Sequence, residues 1–185
     1  MQCSTTSNTA SATMSFERLD PSDADGARKV MLDTFYKEFG HGYDSTWHAD
    51  VIDIEGTYLQ EPRHGLFIAV REGEVVATTA VRANGPSSPP HPQWIADRYP
   101  SGETAQLFRV YVDRAHRRHG LARALVSMAC DFVAATEGYS AIYLHTNPAI
   151  EGAEPFWHAV AKQIHDARGD RQHSPSVHFE IPIPR

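Results

Sequence analysis

Residues 117–122 read Arg117-Arg118-His119-Gly120-Leu121-Ala122, a basic turn with one glycine. The run before it, residues 105–112, is rich in β-branched and aromatic residues and predicts a strand. Apolar residues then recur at helical spacing, as Leu121, Leu125, Met128, Phe132 and Ala135. Because the first N–H groups of a helix lack intrahelical partners and carry the positive end of its dipole, this order of strand, basic turn and helix favours an anion site.

The residue types in the turn suit a phosphate. Gly120 lets the backbone approach a bulky anion, and Ala122 keeps the next turn narrow. Arg117 and Arg118 add charge-assisted hydrogen bonds. The sequence therefore predicts a phosphate-binding turn at the start of a long helix.

The composition excludes several classes of function. The 185 residues, 41% hydrophobic and 22% charged, suit one domain with a single core. A formal net charge of −6 argues against nonspecific nucleic-acid binding. Two cysteines, Cys3 and Cys130, make neither a disulfide framework nor a cysteine zinc site, and we expect Cys130 to be a small core residue. The eleven histidines include two pairs seven residues apart, but no two histidines lie four residues apart, so no metal site is predicted.

The first 13 residues are polar, without a basic start or an apolar block. This composition indicates neither a signal peptide nor a membrane span. We expect a disordered tail over residues 1–13, one domain over residues 14–185, and a cytoplasmic protein with no membrane partner.

The remaining patterns predict a mixed α/β order of elements. Strands are expected at residues 16–19, 141–146 and 177–183, a hairpin at 65–82, and helices at 22–40, 45–59 and 151–164. Ser22 with Asp25 forms a capping-box-like pair at the first helix, and Ser45 is a candidate cap for the second. The proline-rich residues 83–103 predict a long irregular segment, either a disordered insertion or a functional lid, with Trp94, Ile95 and Tyr99 as apolar anchors.

The turn resembles the acyl-CoA-binding motif of the GNAT superfamily of N-acetyltransferases. The pattern is Arg117-x-x-Gly120-x-Ala122 after Val110-Tyr111-Val112, and the order of elements from about residue 16 to the C-terminus is also similar. The resemblance implies a single-domain α/β acyl-CoA N-acyltransferase fold. In that fold a mixed central sheet, flanked by helices, splays between the cofactor strand and the next strand.

The resemblance also implies acetyl-CoA as the cofactor, lying between the strands at residues 106–112 and 141–146. The backbone of Val110 and Val112 would pair with pantetheine, and a nearby N–H would polarise the thioester carbonyl. The pyrophosphate would be bound by the amides of the turn and its two arginine side chains. The residues concerned are Arg117, Arg118, His119, Gly120, Leu121 and Ala122. Asn147 either contacts the cofactor or ends the second strand as a turn residue.

The implied reaction is the attack of a neutral amine on the thioester, which needs a base. Many family members place an acid in the cofactor strand, where this sequence has Phe108 and Arg109. We take His145 as the candidate base because an imidazole titrates near neutral pH, and Glu103, Glu38 or a water chain are weaker alternatives. Arg109 could bind a substrate carboxylate or form a structural ion pair.

The proton donor also departs from the family pattern. Trp157 stands where the resemblance places a tyrosine beside the cofactor, and an indole N–H donates a hydrogen bond but no proton near neutral pH. Either the thiolate leaves unaided or another group, such as Tyr111 or a water, supplies the proton.

The first two helices would line the acceptor site. Residues 33–61 hold one lysine, no arginine and seven acids, namely Asp33, Glu38, Asp44, Asp50, Asp53, Glu55 and Glu61. This excess either attracts a cationic amine or marks solvated helix faces. The sequence thus favours an acetyltransferase for a small-molecule primary amine, with a homodimer possible as in similar proteins. The alternatives are a catalytically silent acyl-CoA-binding domain and a phosphate-binding domain unrelated to CoA.

Overall fold

The computed structural model describes residues 13–184 and consists of one seven-stranded sheet with helices on both faces. The prediction of a disordered tail falls, apart from Thr13, outside the described residues. The strands are β1 (Met14–Arg18), β2 (Gly65–Arg71), β3 (Glu74–Arg82), β4 (Thr104–Val112), β5 (Ala141–Thr146), β6 (Lys162–Asp166) and β7 (Val177–Ile181). The helices are α1 (Ala24–Lys37), α2 (Ala49–Ile52), α3 (Gln93–Arg98), α4 (Leu121–Ala135) and α5 (Ala153–Val160).

The strands lie in the order β1-β2-β3-β4-β5-β7-β6. Neighbours are antiparallel except β4 and β5, which are parallel and pair only from Thr104 to Gln106, against Ala141 to Tyr143. The carboxyl-terminal halves of these two strands therefore separate. The predicted fold class, a mixed sheet that splays between the cofactor strand and its neighbour, is confirmed.

The two faces of the sheet are covered by different helices. α4 packs on β2, β3 and β4 with a core built from Phe67, Ala69, Val81, Leu107, Leu125, Ala129, Val133, Ile142 and Leu144. α1 and α2 cover the other face through Met31, Phe35, Val51, Ile54, Leu66, Ile68 and Ala80. Residues 83–103 cover that second face beyond α2, where Ile95 and Tyr99 pack on Tyr143 of β5. α4 thus covers one face of the sheet, and α1, α2 and the proline-rich segment cover the other.

The buried stripe of α4 is rotated from the predicted one. Leu121 and Leu125 are buried as expected, but Met128 and Phe132 are only partly buried and Ala135 is exposed. The other core contacts come from Val126, Ala129, Cys130 and Val133. Cys130 is buried as predicted, and burial raises the pKa of its thiol to about 11.

The start of α1 differs from the predicted capping box. A 3₁₀ turn over Pro21–Asp23 precedes the helix, and Asp20 supplies the cap. Its Oδ1 accepts from Ser22 N at 3.0 Å and from Ser22 Oγ at 2.8 Å. Ser22 is therefore a donor to the preceding aspartate.

The prediction of one helix over residues 45–59 is wrong. The chain forms turns up to Trp47, the short α2, and a π-helical turn over Glu55–Leu59. Asp44 accepts from Thr46 N at 2.8 Å, and Asp53 accepts from Gly56 N at 3.0 Å. These local side-chain bonds compete with the helical backbone ladder. Trp47, which lies within the segment predicted as a helix, is 66% exposed.

The helix predicted over residues 151–164 also ends early. α5 stops at Val160, and β6 follows as an edge strand. β6 is antiparallel to β7, with Lys162 opposite Glu180. This strand depends on its pairing with β7, about fifteen residues later in the chain, which the local apolar spacing does not reveal.

The proline-rich segment is ordered and contains α3. Two of its three predicted anchors, Ile95 and Tyr99, are buried, whereas Trp94 is 46% exposed and was wrongly predicted. A Cβ at Gly85 would lie 1.7 Å from the carbonyl oxygen of Tyr99, so only glycine allows these two backbone stretches to pack. The segment is thus fastened to the sheet beside β5.

Candidate active site

A cleft opens where β4 and β5 separate. Val110 and Val112 lie on β4 beyond Gln106, the last residue paired with β5, while β3 continues to pair on the opposite edge of β4. Backbone groups on the β5 side of this stretch have no strand partner there, which is what hydrogen bonding to an extended ligand requires. Val110 and Val112 are the residues predicted to pair with pantetheine, and they lie beside this cleft.

The basic turn leads into α4 as predicted. Gly120 is the N-cap residue, in the left-handed region at φ +77°, and no side chain caps the helix. A Cβ built on Gly120 meets nothing within 4 Å, so the space beside the first helical turn is open. Arg118 is also left-handed at φ +65°, and it is exposed together with His119. The free N–H groups, the helix dipole and the open space suit an anion.

Arg117 is already engaged by the protein. Its Nε donates to the carbonyl oxygen of Val112 at 3.1 Å, and its Nη2 forms an ion pair with Glu38. The side chain therefore ties the turn to the end of α1. Glu38, a weaker candidate base, is held in this ion pair.

A β-bulge reshapes the middle of β4. Arg109 has φ +53°, and the register with β3 shifts between Thr78 and Ala80. In a regular strand residues 108 and 111 would point to opposite faces. The extra residue places both Phe108 and Tyr111 against the core beneath α1 and α2.

The Arg109 side chain forms a buried ion pair with Asp50. Its Nε donates to Oδ2 of Asp50 at 3.0 Å and its Nη2 to Oδ1 at 2.7 Å, with side-chain exposures of 10% and 3%. Tyr58 donates to the same carboxylate at 2.7 Å, and Arg109 Nη2 also donates to the carbonyl oxygen of Trp47 at 2.7 Å. Of the two interpretations left open for Arg109, the structure shows the ion pair.

Both members of this pair are charged. Burial by itself would raise the pKa of the Asp50 carboxyl, but hydrogen bonds from Arg109 hold it below its usual value. Burial would likewise lower the pKa of the Arg109 guanidinium, whereas its bonds to Asp50 raise it. This pair joins α2 to the bulge of β4.

His145 lies on β5 in a group of histidines beneath the proline-rich segment. Its ring centroid is 4.4 Å from that of His91 and 5.9 Å from that of His178. Tyr143 Oη lies 3.5 Å from His145 Nδ1 and 2.7 Å from His178 Nδ1. Burial, followed by the neighbouring His91 and His178, lowers the pKa of His145 to about 3. His145 is therefore neutral at physiological pH and holds an added proton weakly.

The other predicted residues lie in different surroundings. Tyr111 packs edge-on against Phe35 and Phe39, and burial raises the pKa of its hydroxyl. Glu103 is exposed just before β4, at the closed end of the cleft, and is not brought together with His145 or Tyr111. Asn147 Oδ1 accepts from Ala149 N at 2.9 Å, which is a turn contact.

Trp157 belongs to the core on the α4 side of the sheet. It is 6% exposed, and its ring packs edge-on against Phe156. Trp157 therefore exposes only a small surface through which it could contact the cofactor, as predicted for it.

The acidic segment is partly neutralised by neighbouring cations. Asp33 pairs with Lys29 and Lys37 across exposed side chains. Asp50 and Glu38 pair with arginines contributed by β4 and by the basic turn. Electrostatic attraction of a cation is correspondingly weaker than the sequence count suggests.

A pocket of about 480 Å³ lies between α1 and α2 and is lined by His41, Gly42, Tyr43, Asp44, Trp47 and His48. The sequence patterns did not indicate this pocket, because residues 45–59 were predicted to form one helix. The available signal was four aromatic side chains within eight residues, 41–48, among turn-forming residues.

Within residues 13–184, no three His, Cys, Asp or Glu side chains are grouped so that they could hold a metal ion. Within the same range every helix is too short or too polar to cross a membrane.

The splayed strands, the glycine N-cap at a basic turn and the face covered by α1, α2 and the proline-rich segment are the features of acyl-CoA-dependent acyltransferases. The chain belongs to the acetyltransferase (GNAT) family, whose sequence profile matches residues 28–160. The family uses acetyl-CoA as its acetyl donor.

Curated relatives are N-acetyltransferases. Human N-acetylaspartate synthetase is 30% identical over 135 residues, which cover 73% of this chain and 37% of the relative. Mouse N-acetyltransferase 8 is 33% identical over 116 residues, which cover 63% of this chain and 46% of the relative. The chain thus spans less than half the length of either.

Solved structures share the fold. A GNAT acetyltransferase of Staphylococcus aureus Mu50 has a TM-score of 0.68 at 16% identity, covering 92% of this chain and 100% of its own. YncA of Salmonella typhimurium, solved with its cofactor acetyl-CoA, has a TM-score of 0.68 at 13% identity. The match covers 93% of this chain and 95% of the YncA chain.

Proposed function

We propose that this chain catalyses transfer of an acetyl group from acetyl-CoA to the primary amine of a small molecule. The observation that carries this proposal is the juxtaposition of the β4–β5 cleft with the uncapped start of α4 at Gly120. The names of two relatives, N-acetylaspartate synthetase and N-acetyltransferase 8, are consistent with an amine as the acetyl acceptor.

The cofactor would lie along the carboxyl-terminal half of β4, where the strand has separated from β5. The amides from Arg118 to Ala122 would bind its pyrophosphate, and Val110 and Val112 would pair with pantetheine through their backbones. This arrangement brings the thioester to the middle of β4, near the bulge at Arg109. There a main-chain N–H would stabilise the oxyanion that forms as the amine attacks the carbonyl carbon.

The amine must lose a proton as its nitrogen bonds to the carbonyl carbon. His145 is the candidate acceptor because it lies on β5, on the face covered by α1, α2 and the proline-rich segment. Its low pKa keeps a lone pair available but makes proton retention unfavourable. We infer that His145 passes the proton on to solvent water, with the Tyr143 hydroxyl and His178 as the first groups along the path.

The carbon–sulfur bond then breaks and CoA thiolate departs. Tyr111 is the candidate donor to this sulfur, and its raised pKa keeps the hydroxyl protonated. Since a thiol has a pKa of about 8.5, full transfer from Tyr111 is unfavourable and the hydroxyl would act by hydrogen bonding. Water can complete the protonation, giving CoA and the N-acetyl amide.

Isothermal titration of the purified protein with acetyl-CoA tests the proposal, with ATP and NAD as controls. Micromolar binding of acetyl-CoA without binding of the controls, followed by thiol release with a panel of amines, would support it. Acetyl-CoA binding without thiol release from any amine would instead favour a silent acyl-CoA-binding domain. Failure of every CoA ester to bind would overturn both.

Substituting His145 by alanine is expected to lower kcat about 10²-fold, as general-base roles typically contribute. The KM for acetyl-CoA should stay unchanged because the predicted cofactor contacts lie elsewhere. His158→Ala, which removes an exposed histidine of α5, is the matched control. Wild-type turnover and pH profile in folded His145→Ala would make the residue structural.

A further inference from the structure

The pocket lined by residues 41–48 includes large aromatic side chains that are not buried in the core. Its volume of about 480 Å³ is in the range of small-molecule sites. Trp47 is 66% exposed and Tyr43 is 38% exposed. Large aromatic side chains left open to solvent beside a concave site are typical of ligand-binding surfaces.

One wall is a fixed stack of rings. The His48 ring lies 4.1 Å from the Phe35 ring at 19° and 5.7 Å from the His41 ring at 10°. The backbone N–H of Asp44 donates to His48 Nδ1 at 2.9 Å, which holds the imidazole in place. His48 is buried in this stack, and the exposed His41 ring is the part of the wall that faces solvent, in an orientation that the stack fixes.

The charge of the pocket excludes an acidic ligand. Burial, and then the nearby Arg109, lower the pKa of His48, so its imidazole is neutral at physiological pH. Asp44 is the acidic residue among those that line the pocket. The guanidinium of Arg109 donates its hydrogen bonds to Asp50 and to the carbonyl oxygen of Trp47. A carboxylate would meet a like charge here, whereas an ammonium group would be attracted.

The pocket adjoins the reacting part of β4. Phe35, which stacks on His48, also packs edge-on against Tyr111 at 5.9 Å. Arg109, the bulge residue of β4, binds the backbone of Trp47 at 2.7 Å. An amine whose side group occupies the pocket would thus lie beside the middle of β4, where the proposed function puts the thioester.

From these contacts we infer that the acceptor is an amine carrying a flat aromatic ring, which stacks between Trp47 and the His48–His41 wall. This inference rests on the proposed function for the reaction, but the ring contact itself is independent of catalysis.

Calorimetric titration with 2-phenylethylamine and 2-cyclohexylethylamine, each with and without saturating CoA, tests the inference. The two amines match in size and charge and differ in the aromatic face. We expect the aromatic amine to bind about tenfold more tightly and Trp47→Leu to remove that preference, since ring stacking and cation–π contacts contribute on this scale. Trp94→Leu, which alters an exposed tryptophan on α3, should keep the preference.

Equal binding of both amines, or an unchanged preference in Trp47→Leu, would overturn the inference. Acetylation of both amines at equal efficiency would do the same while leaving the proposed function intact. If acetyl-CoA fails to bind, the proposed function fails, and the titrations without CoA still decide whether the pocket holds a ring.

Discussion

Gly120→Glu is expected to abolish acetyl-CoA binding. We expect the affinity to fall by more than about 100-fold, because a carboxylate would occupy the open space at an anion site. The side chain would enter the open region beside the first turn of α4, where the pyrophosphate is proposed to lie. Two effects then act together: the side chain fills the space, and its charge repels the phosphates. Isothermal titration of the folded variant measures the loss.

Strain in the backbone needs its own control, because Gly120 is left-handed at φ +77°. Gly102 has φ +87° and likewise has nothing within 4 Å of an added Cβ. It precedes β4 at the closed end of the cleft, so Gly102→Glu carries the same strain and charge away from the proposed site. We expect this variant to bind acetyl-CoA as the wild type does. If Gly120→Glu also keeps wild-type affinity, the pyrophosphate does not lie at this turn.

Asp50→Ala is expected to cost about 3–5 kcal/mol of the free energy of unfolding, the usual effect of removing one partner from a buried ion pair. The guanidinium of Arg109 would stay buried without its carboxylate, and the Tyr58 hydroxyl would lose its acceptor. Urea denaturation at neutral pH measures the change. The loss is large because neither group reaches solvent without moving α2 away from the bulge of β4.

Asp33→Ala is the matched control for this loss. Asp33 accepts from two lysines in exposed ion pairs, which contribute no more than about 1 kcal/mol. A second variant replaces Asp50 by Leu and Arg109 by Met together, and it should recover part of the stability because no charge is left unpaired. Equal effects of Asp50→Ala and Asp33→Ala would show that burial does not determine the strength of the Asp50–Arg109 pair.

Much of the site was accessible from sequence because it depends on local chemistry. The strand, the basic turn and α4 occur consecutively, so their spacing alone placed Gly120 at a helix N-terminus. The hairpin of β2 and β3 was predicted for the same reason, with its glycine turn between two apolar runs. Errors arose where local signals conflicted, as at residues 45–59, where Asp44 and Asp53 bond to nearby backbone N–H groups.

Contiguous residues and their periodicity are sufficient to predict the fold class, the family and a basic turn at a helix N-terminus. The chemistry of the face covered by α1, α2 and the proline-rich segment depends instead on tertiary contacts. The Asp50–Arg109 pair joins residues 59 positions apart, and the pocket forms because α1, the turns before α2 and the bulge of β4 pack together. The surroundings of His145 are likewise set by His91 and His178, from distant segments, and these contacts lower its pKa. Such properties arise from burial and from contacts between remote residues, which local sequence patterns do not encode.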